Sequence, residues 1–153
     1  MVSFSRLMIA GVCALSIQTS AHAASHASSR EAQALLDKAV AELQVAGPEK
    51  ALAEFNDPKG PFKARDLYVF VFSIQGIYEA SGANPKLVGT PAPDLTDAEG
   101  KPLVREMIAV VKAKGKGRVD YVWLNRADNR VEHKRSLVQR VGDHIVGVGY
   151  YTG

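Results

Sequence analysis

The chain has 153 residues, 46% of them hydrophobic and 23% charged, with a formal net charge of +3. That length suits one domain, and the balance belongs to a folded globular chain, not a disordered one. The charge is too small, and its basic runs too short, for a nucleic-acid arm; the densest, Lys112–Arg118, reads as a solvated helix end.

Arg6, the apolar stretch Leu7–Ile17 and the small-residue site Ala21-His22-Ala23 have the form of a secretory signal peptide. The stretch is shorter than the roughly 20 residues that a membrane-spanning helix needs. The expected division is a signal peptide over 1–23 and a single domain over 24–153, with Ser25-His26-Ala27 as a second cleavage site. The mature protein is expected outside the cytoplasm, without stable membrane insertion after cleavage. Cys13, the only cysteine, would leave with the signal peptide, so disulfides, thiol nucleophiles and thiolate metal sites are not expected.

Ser28 and Glu31 stand at capping-box spacing. Ala32, Leu35, Leu36, Ala39, Val40, Leu43 and Ala46 then recur at helical spacing, which predicts a long helix over Arg30–Ala46 with one apolar stripe. Gly47-Pro48 stops it, a short helix is expected over Glu49–Phe55, and Asn56-Asp57-Pro58 is turn chemistry. Asp66–Phe72 alternates as a strand: Tyr68, Phe70 and Phe72 share one face, Leu67, Val69 and Val71 the other. Two apolar faces place this strand in the middle of a sheet. A second strand is expected over Ile77–Ala80, after the turn Ser73–Gly76, and a loop runs on through Gly89, Pro91 and Pro93.

Asp94–Gly100 reads as a solvated acidic turn, and Leu103, Val104, Met107, Val110 and Val111 mark a third helix, ended by Lys112, Lys114 and Gly115. Three β-rich runs follow between Gly117 and Tyr151, the last two joined by the hairpin pair Gly142-Asp143. Helices and strands in separate runs indicate α+β with an antiparallel sheet.

On the first of these runs Val119, Tyr121, Trp123 and Asn125 share a face; on the second, Lys134 and Ser136 lie between Glu132 and Val138. Aromatic rings beside a lysine on a sheet suit a small carboxylate, with Ser136 as a hydroxyl donor. His26, His133 and His144 are scattered, with no metal-ligand spacing. Asp94, Asp97 and Glu99 lack the pattern of a calcium loop, and no serine elbow or nucleophile–base pair emerges. No metal, no cofactor and no enzymatic activity are expected.

Asp66-Leu-Tyr-Val-Phe-Val, Gly82-Ala-Asn-Pro-Lys-Leu-Val-Gly, Asp97-Ala-Glu-Gly-Lys-Pro, Val119-Asp-Tyr-Val-Trp, Lys134-Arg-Ser-Leu-Val and Val146-Gly-Val-Gly-Tyr-Tyr occur in the order found in the single Cache domain family. The chain resembles that family from about Glu31 to Tyr151, as a stand-alone secreted member without the membrane helix and signalling module of receptor members. The resemblance implies a PAS-like sensor fold, a long N-terminal helix packed on one face of an antiparallel sheet and a ligand on the other. It further implies a periplasmic location and a ligand site formed by Lys134, Ser136, Tyr121, Trp123, Phe70 and Ser81. The ligand would be an organic acid of two to four carbons, and the partner that reads the bound state a membrane sensor kinase or chemoreceptor. The chain departs from the family at Ser81, where a histidine is usual, at Leu137, where a tyrosine is common, and at the turn Ser73–Gly76, commonly rich in Asp and Asn. Ser81 and Leu137 would each take a polar or aromatic group from the pocket, which keeps open a partner-docking or structural role with a degenerate pocket.

Overall fold

The capping box forms as spaced: Ser28 N–H donates to Glu31 Oε2 at 2.7 Å and Glu31 N–H to Ser28 Oγ at 3.3 Å. They open α1, Ser29–Ala46, in a computed structural model that describes residues 26–153. The expected signal peptide over 1–23 lies outside the described residues. Gly47 (φ 81°) breaks the helix, and Pro48 begins α2, Pro48–Asn56, where its missing N–H costs nothing.

The strands are β1 (Lys63–Ala64), β2 (Leu67–Ser73), β3 (Tyr78–Ser81), β4 (Lys116–Asn125), β5 (Arg130–Val141) and β6 (His144–Tyr151). A 3₁₀ turn, Pro85–Leu87, and α3, Leu103–Lys114, lie between β3 and β4. Gly115 closes α3 in the left-handed region (φ 74°), its N–H bonded to Val111 O at 2.9 Å. All pairings are antiparallel, in the order β1-β2-β6-β5-β4, with β3 also on β2. The meander β4–β5–β6 is the one expected. β2 is interior, paired on both edges, but the centre of the sheet belongs to β6. That long-range partnership, Phe70 opposite Gly147, leaves no local signal in the sequence.

Two apolar layers result. On one face Val69, Val71, Val146 and Val148 meet α1 and α2 through Leu36, Ala39, Leu43 and Phe55, all buried; Leu35 is half-buried at the edge. On the other face Phe70, Phe72, Tyr121, Val138 and Ile145 meet α3 through Leu103, Val104, Met107 and Val111.

Two segments expected to be loose are fixed. Asp97 is only 7% exposed and accepts the N–H groups of Lys101 (2.8 Å), Glu99 (2.9 Å) and Val122 (2.9 Å), so the acidic turn is pinned to β4 and not solvated there. Burial pushes its carboxyl up, and those donors outweigh it, holding the group below the usual range. His26, read from the sequence as part of a second cleavage site, sits between Asp66 (3.2 Å) and Glu132 (3.4 Å), while Ala27 N–H also reaches Asp66. His144 pairs with Glu79 at 2.7 Å. No three metal-ligating side chains gather among the described residues. No described helix is long and apolar enough to cross a membrane.

Candidate functional site

On the α3 face, β6 contributes Ile145, Gly147, Gly149 and Tyr151, and the two glycines make the site possible. A Cβ at Gly147 would fall inside the Phe70 ring; one at Gly149 would strike the Lys134 stem and lie 2.6 Å from Ser136 Oγ. Phe70 and Lys134 therefore lie across β6 only because it has no side chain at those points. Alternation along Val146-Gly147-Val148-Gly149 thus sends the valines to the helices and opens the other face.

Phe70 and Phe72 from β2, Tyr78 from β3, Tyr121 and Trp123 from β4, and Leu103 and Met107 from α3 enclose a cavity of about 50 Å³. The rings pack edge to face or tilted, Phe72 on Tyr78 at 4.4 Å between centroids and Tyr121 on Trp123 at 6.0 Å. Polar groups stand at its margin: Tyr68, Ser81, Asn84 and Arg126. A larger cavity of about 150 Å³ adjoins it, sharing Tyr68, Ala83 and Arg126.

Of the expected site residues, Phe70, Tyr121, Trp123 and Ser81 stand in the aromatic wall. Ser81 is occupied there, its N–H on Asn56 Oδ1 (2.9 Å) and its hydroxyl accepting Asn84 N–H (3.2 Å), which fixes the turn after β3. Ser136 lies behind the wall, bonded through Oγ to the Tyr121 hydroxyl at 2.8 Å. Leu137 packs towards α1 and does not border the cavity, so its departure from the family takes nothing from the pocket. Its odd position beside Lys134 and Ser136 was the available signal.

Lys134 is 1% exposed, far from the surface position a strand lysine usually takes. Its ammonium donates to the Tyr68 hydroxyl at 3.0 Å and to the Tyr151 hydroxyl at 3.4 Å, 4.3 and 4.5 Å from the two ring centroids. No ion pair to a carboxylate forms on it among the described residues. Burial pulls its pKa down to about 7, against a smaller opposing pull from Asp66. The hydroxyls around it are held neutral: burial pushes Tyr68 up to about 12, against Arg126, Trp123 and Lys63, and raises Tyr121 and Tyr151 strongly. The arrangement is an ammonium with no carboxylate in ion-pair contact, set behind a tyrosine that borders an aromatic hollow.

Sequence reasoning grouped Tyr68 with Phe70 but did not place it in the site, and missed Tyr151, Asn84 and Arg126. Tyr68 and Tyr151 share the parity of Phe70 and Gly149, which could have found them. Arg126 lies on the β4–β5 turn, where spacing says nothing about direction.

Residues 6–153 match the family described as Single Cache domain 2, and the chain belongs to it. Among solved structures, a Cache chemosensory domain described for its carboxylic acid recognition is 26% identical, with a TM-score of 0.68 over 82% of this chain and 93% of its own. A methyl-accepting chemotaxis protein from Vibrio parahaemolyticus RIMD 2210633 is 22% identical, with a TM-score of 0.67 over 80% of this chain and 86% of its own. The periplasmic sensor domain of a chemotaxis protein is 23% identical, with a TM-score of 0.64 over 81% and 90%. No curated protein matches the chain. Family and neighbours are sensory, ligand-binding domains, and the antiparallel α+β fold is theirs.

Proposed function

We propose that this Cache domain is a periplasmic sensor module that binds a carboxylic acid of two to four carbons and presents the bound state to a membrane sensor kinase or chemoreceptor. The observation that carries the reading is Lys134, a buried ammonium that forms no ion pair with a carboxylate and hydrogen-bonds Tyr68, which itself lines the small aromatic cavity. A buried charge calls for compensation, and a ligand carboxylate supplies it. The acid's carbons lie among Phe70, Tyr121 and Trp123, and its carboxylate reaches the neck where Tyr68 and Arg126 border both cavities. Lys134 has three N–H donors, and Tyr68 and Tyr151 take two of them. Ser136 acts through Tyr121, whose hydroxyl it holds, and Ser81 shapes the wall.

Size agrees with this reading. A water-sized group needs about 10–15 Å³ of such space, so the cavity's 50 Å³ takes a chain of only a few atoms. An acid of about six heavy atoms is limited to roughly 9 kcal/mol, so micromolar affinity is attainable and nanomolar is not expected. The neighbour described for carboxylic acid recognition supports the ligand class. No part of the proposal requires catalysis or a cofactor.

Calorimetry on the exported protein against acetate, propionate, lactate and pyruvate tests the reading, with Lys134→Ala beside wild type. At least one acid should bind, and the variant should bind it ten-fold or more weakly, about 1.4 kcal/mol. Equal binding by both would remove Lys134 from the site. Binding of none by the folded protein would leave the partner-docking role. Intact mass of the exported chain checks cleavage after Ala23.

A further inference from the structure

Arg126, which borders both cavities, is carried on the β4–β5 turn, and a chain of side chains leads from that turn to the segment before α1. Asn125 ends β4, is only 2% exposed, and accepts the Ala127 N–H through Oδ1 at 3.0 Å. That local turn encloses Arg126, so the Asn125 amide fixes the backbone on either side of the arginine.

The amide is itself held. Its Nδ2 donates to Glu132 Oε2 at 2.9 Å, so one orientation of the group satisfies both partners. The other oxygen of Glu132, Oε1, lies 3.4 Å from His26 Nε2. Asp66 moors His26 in turn: its Oδ2 is 3.2 Å from Nδ1, and its Oδ1 accepts the N–H of the buried Ala27 at 3.1 Å. A second strut ends at the same place. The His26 ring packs tilted on Tyr151, 5.7 Å between centroids, and the Tyr151 hydroxyl donates to Leu124 O at 3.0 Å, one residue before Asn125. His26 therefore touches both residues that hold the end of β4. Without the ring, the half-buried Glu132 would lose this partner and be free to turn away from Asn125.

We infer that His26 is a positioning residue of the site: it holds Glu132 and Tyr151, and through them the turn that presents Arg126 to the neck of the two cavities. Its effect on affinity rests on the carboxylate reading above, whereas its hold on the turn needs no ligand.

The test uses both consequences in the exported protein. His26 lies outside both apolar layers, so His26→Ala should fold. In the free variant, amide exchange followed by NMR should be about three- to ten-fold faster at Ala127, the effect of one weakened hydrogen bond. The amides of Glu99 and Lys101, held in the same way by Asp97 on another turn, should exchange as in wild type. Calorimetry with the acetate, propionate, lactate and pyruvate set should show His26→Ala weakening the bound acid about three- to five-fold. In an Arg126→Gln background the same change should cost less than two-fold, because residues that act through one another are not additive. An equal loss in both backgrounds, or Ala127 exchange at the wild-type rate, overturns the inference and leaves the carboxylate site standing. If the folded wild type binds no acid, the carboxylate reading falls, and exchange at Ala127 alone decides whether His26 holds the turn.

Discussion

Towards α1 and α2 the central strands present Val69, Val71, Val146 and Val148, each 0% exposed; towards α3 the same two strands present Tyr68, Phe70, Gly147 and Gly149. Branched aliphatic side chains interlock with a helix and leave no space, which is how a sheet face gains stability. Rings laid over glycines leave hollows, and a lysine placed among them carries a desolvation cost. One face holds the domain together, and the other gives up stability for a site. Changes on the two faces should therefore separate folding from binding.

The largest expected effect lies on the helix side. Leu36 is 3% exposed in the layer that joins α1 to the sheet, and Leu36→Ala should cost about 2–5 kcal/mol. Urea unfolding measures it, and the folded fraction should bind the acid with affinity within about two-fold of wild type. A loss of binding at full occupancy of the folded state would mean that the two faces are not separable.

Lys134→Met should move in the opposite direction. Its ammonium has an ordinary pKa of 10.5 and about 7 in the fold, so between those values the unfolded chain holds the proton more tightly. The resulting penalty is fully present below pH 7 and disappears as pH rises towards 10.5. Replacing the charge by an apolar chain of similar length should stabilise the protein on the order of 1–3 kcal/mol at pH 7, since the hydrogen bonds to the tyrosines are lost as well. The gain should shrink by pH 10, and acid binding should weaken ten-fold or more. A variant less stable than wild type at both pH values would show that the lysine supports the fold, and the contrast between the faces would fail.

Gly149→Ala sharpens the comparison at a single strand. The new methyl would meet the Lys134 stem and Ser136 Oγ, at an overpacking cost of about 1–3 kcal/mol. The displaced ammonium should weaken acid binding. Val148→Ala, one residue away on the helix face, should cost comparable stability and leave affinity unchanged. Matched losses of affinity in both variants would point to a general loosening of β6.

Much of this division was legible in the sequence. The capping box at Ser28 and Glu31, the stripe from Ala32 to Leu43 and the alternation in β2 fixed helix, strand and facing, because each is a local pattern with a local cause. The aromatic wall followed from the same parity. What escaped notice depends on contacts between distant segments. The burial of Lys134 requires Tyr68 and Tyr151 to meet over Gly149, and nothing near Lys134 announces either. Asp97 read as part of a solvated turn because the contact that pins it to β4, from Val122, is far along the chain, and the pairing of His26 with Asp66 is as distant. Arg126 lies on a turn, where direction is set by the whole fold.

The smallest expected effect, about ten-fold in affinity, ties the buried charge to the ligand. In the free protein Lys134 is half protonated near pH 7. A carboxylate at the site favours the ammonium, so binding takes up a proton whenever the free lysine lacks one. Below pH 7 the ammonium is already present and affinity should be flat, down to the pH at which the acid itself protonates. Above pH 7 each further unit makes the required proton costlier, so affinity should fall about ten-fold between pH 6 and pH 8. His26 and His144 face Asp66, Glu132 and Glu79 and lie outside the aromatic wall. The measurement is calorimetry at pH 8 in buffers of different ionisation heat, where the observed enthalpy should scale with that heat and give an uptake approaching one proton. Lys134→Met cannot take up this proton, so any residual binding should be independent of the buffer. Equal enthalpies in all buffers for wild type would show that the lysine keeps its charge without a ligand, and the cost assigned to the cavity face would have to lie elsewhere.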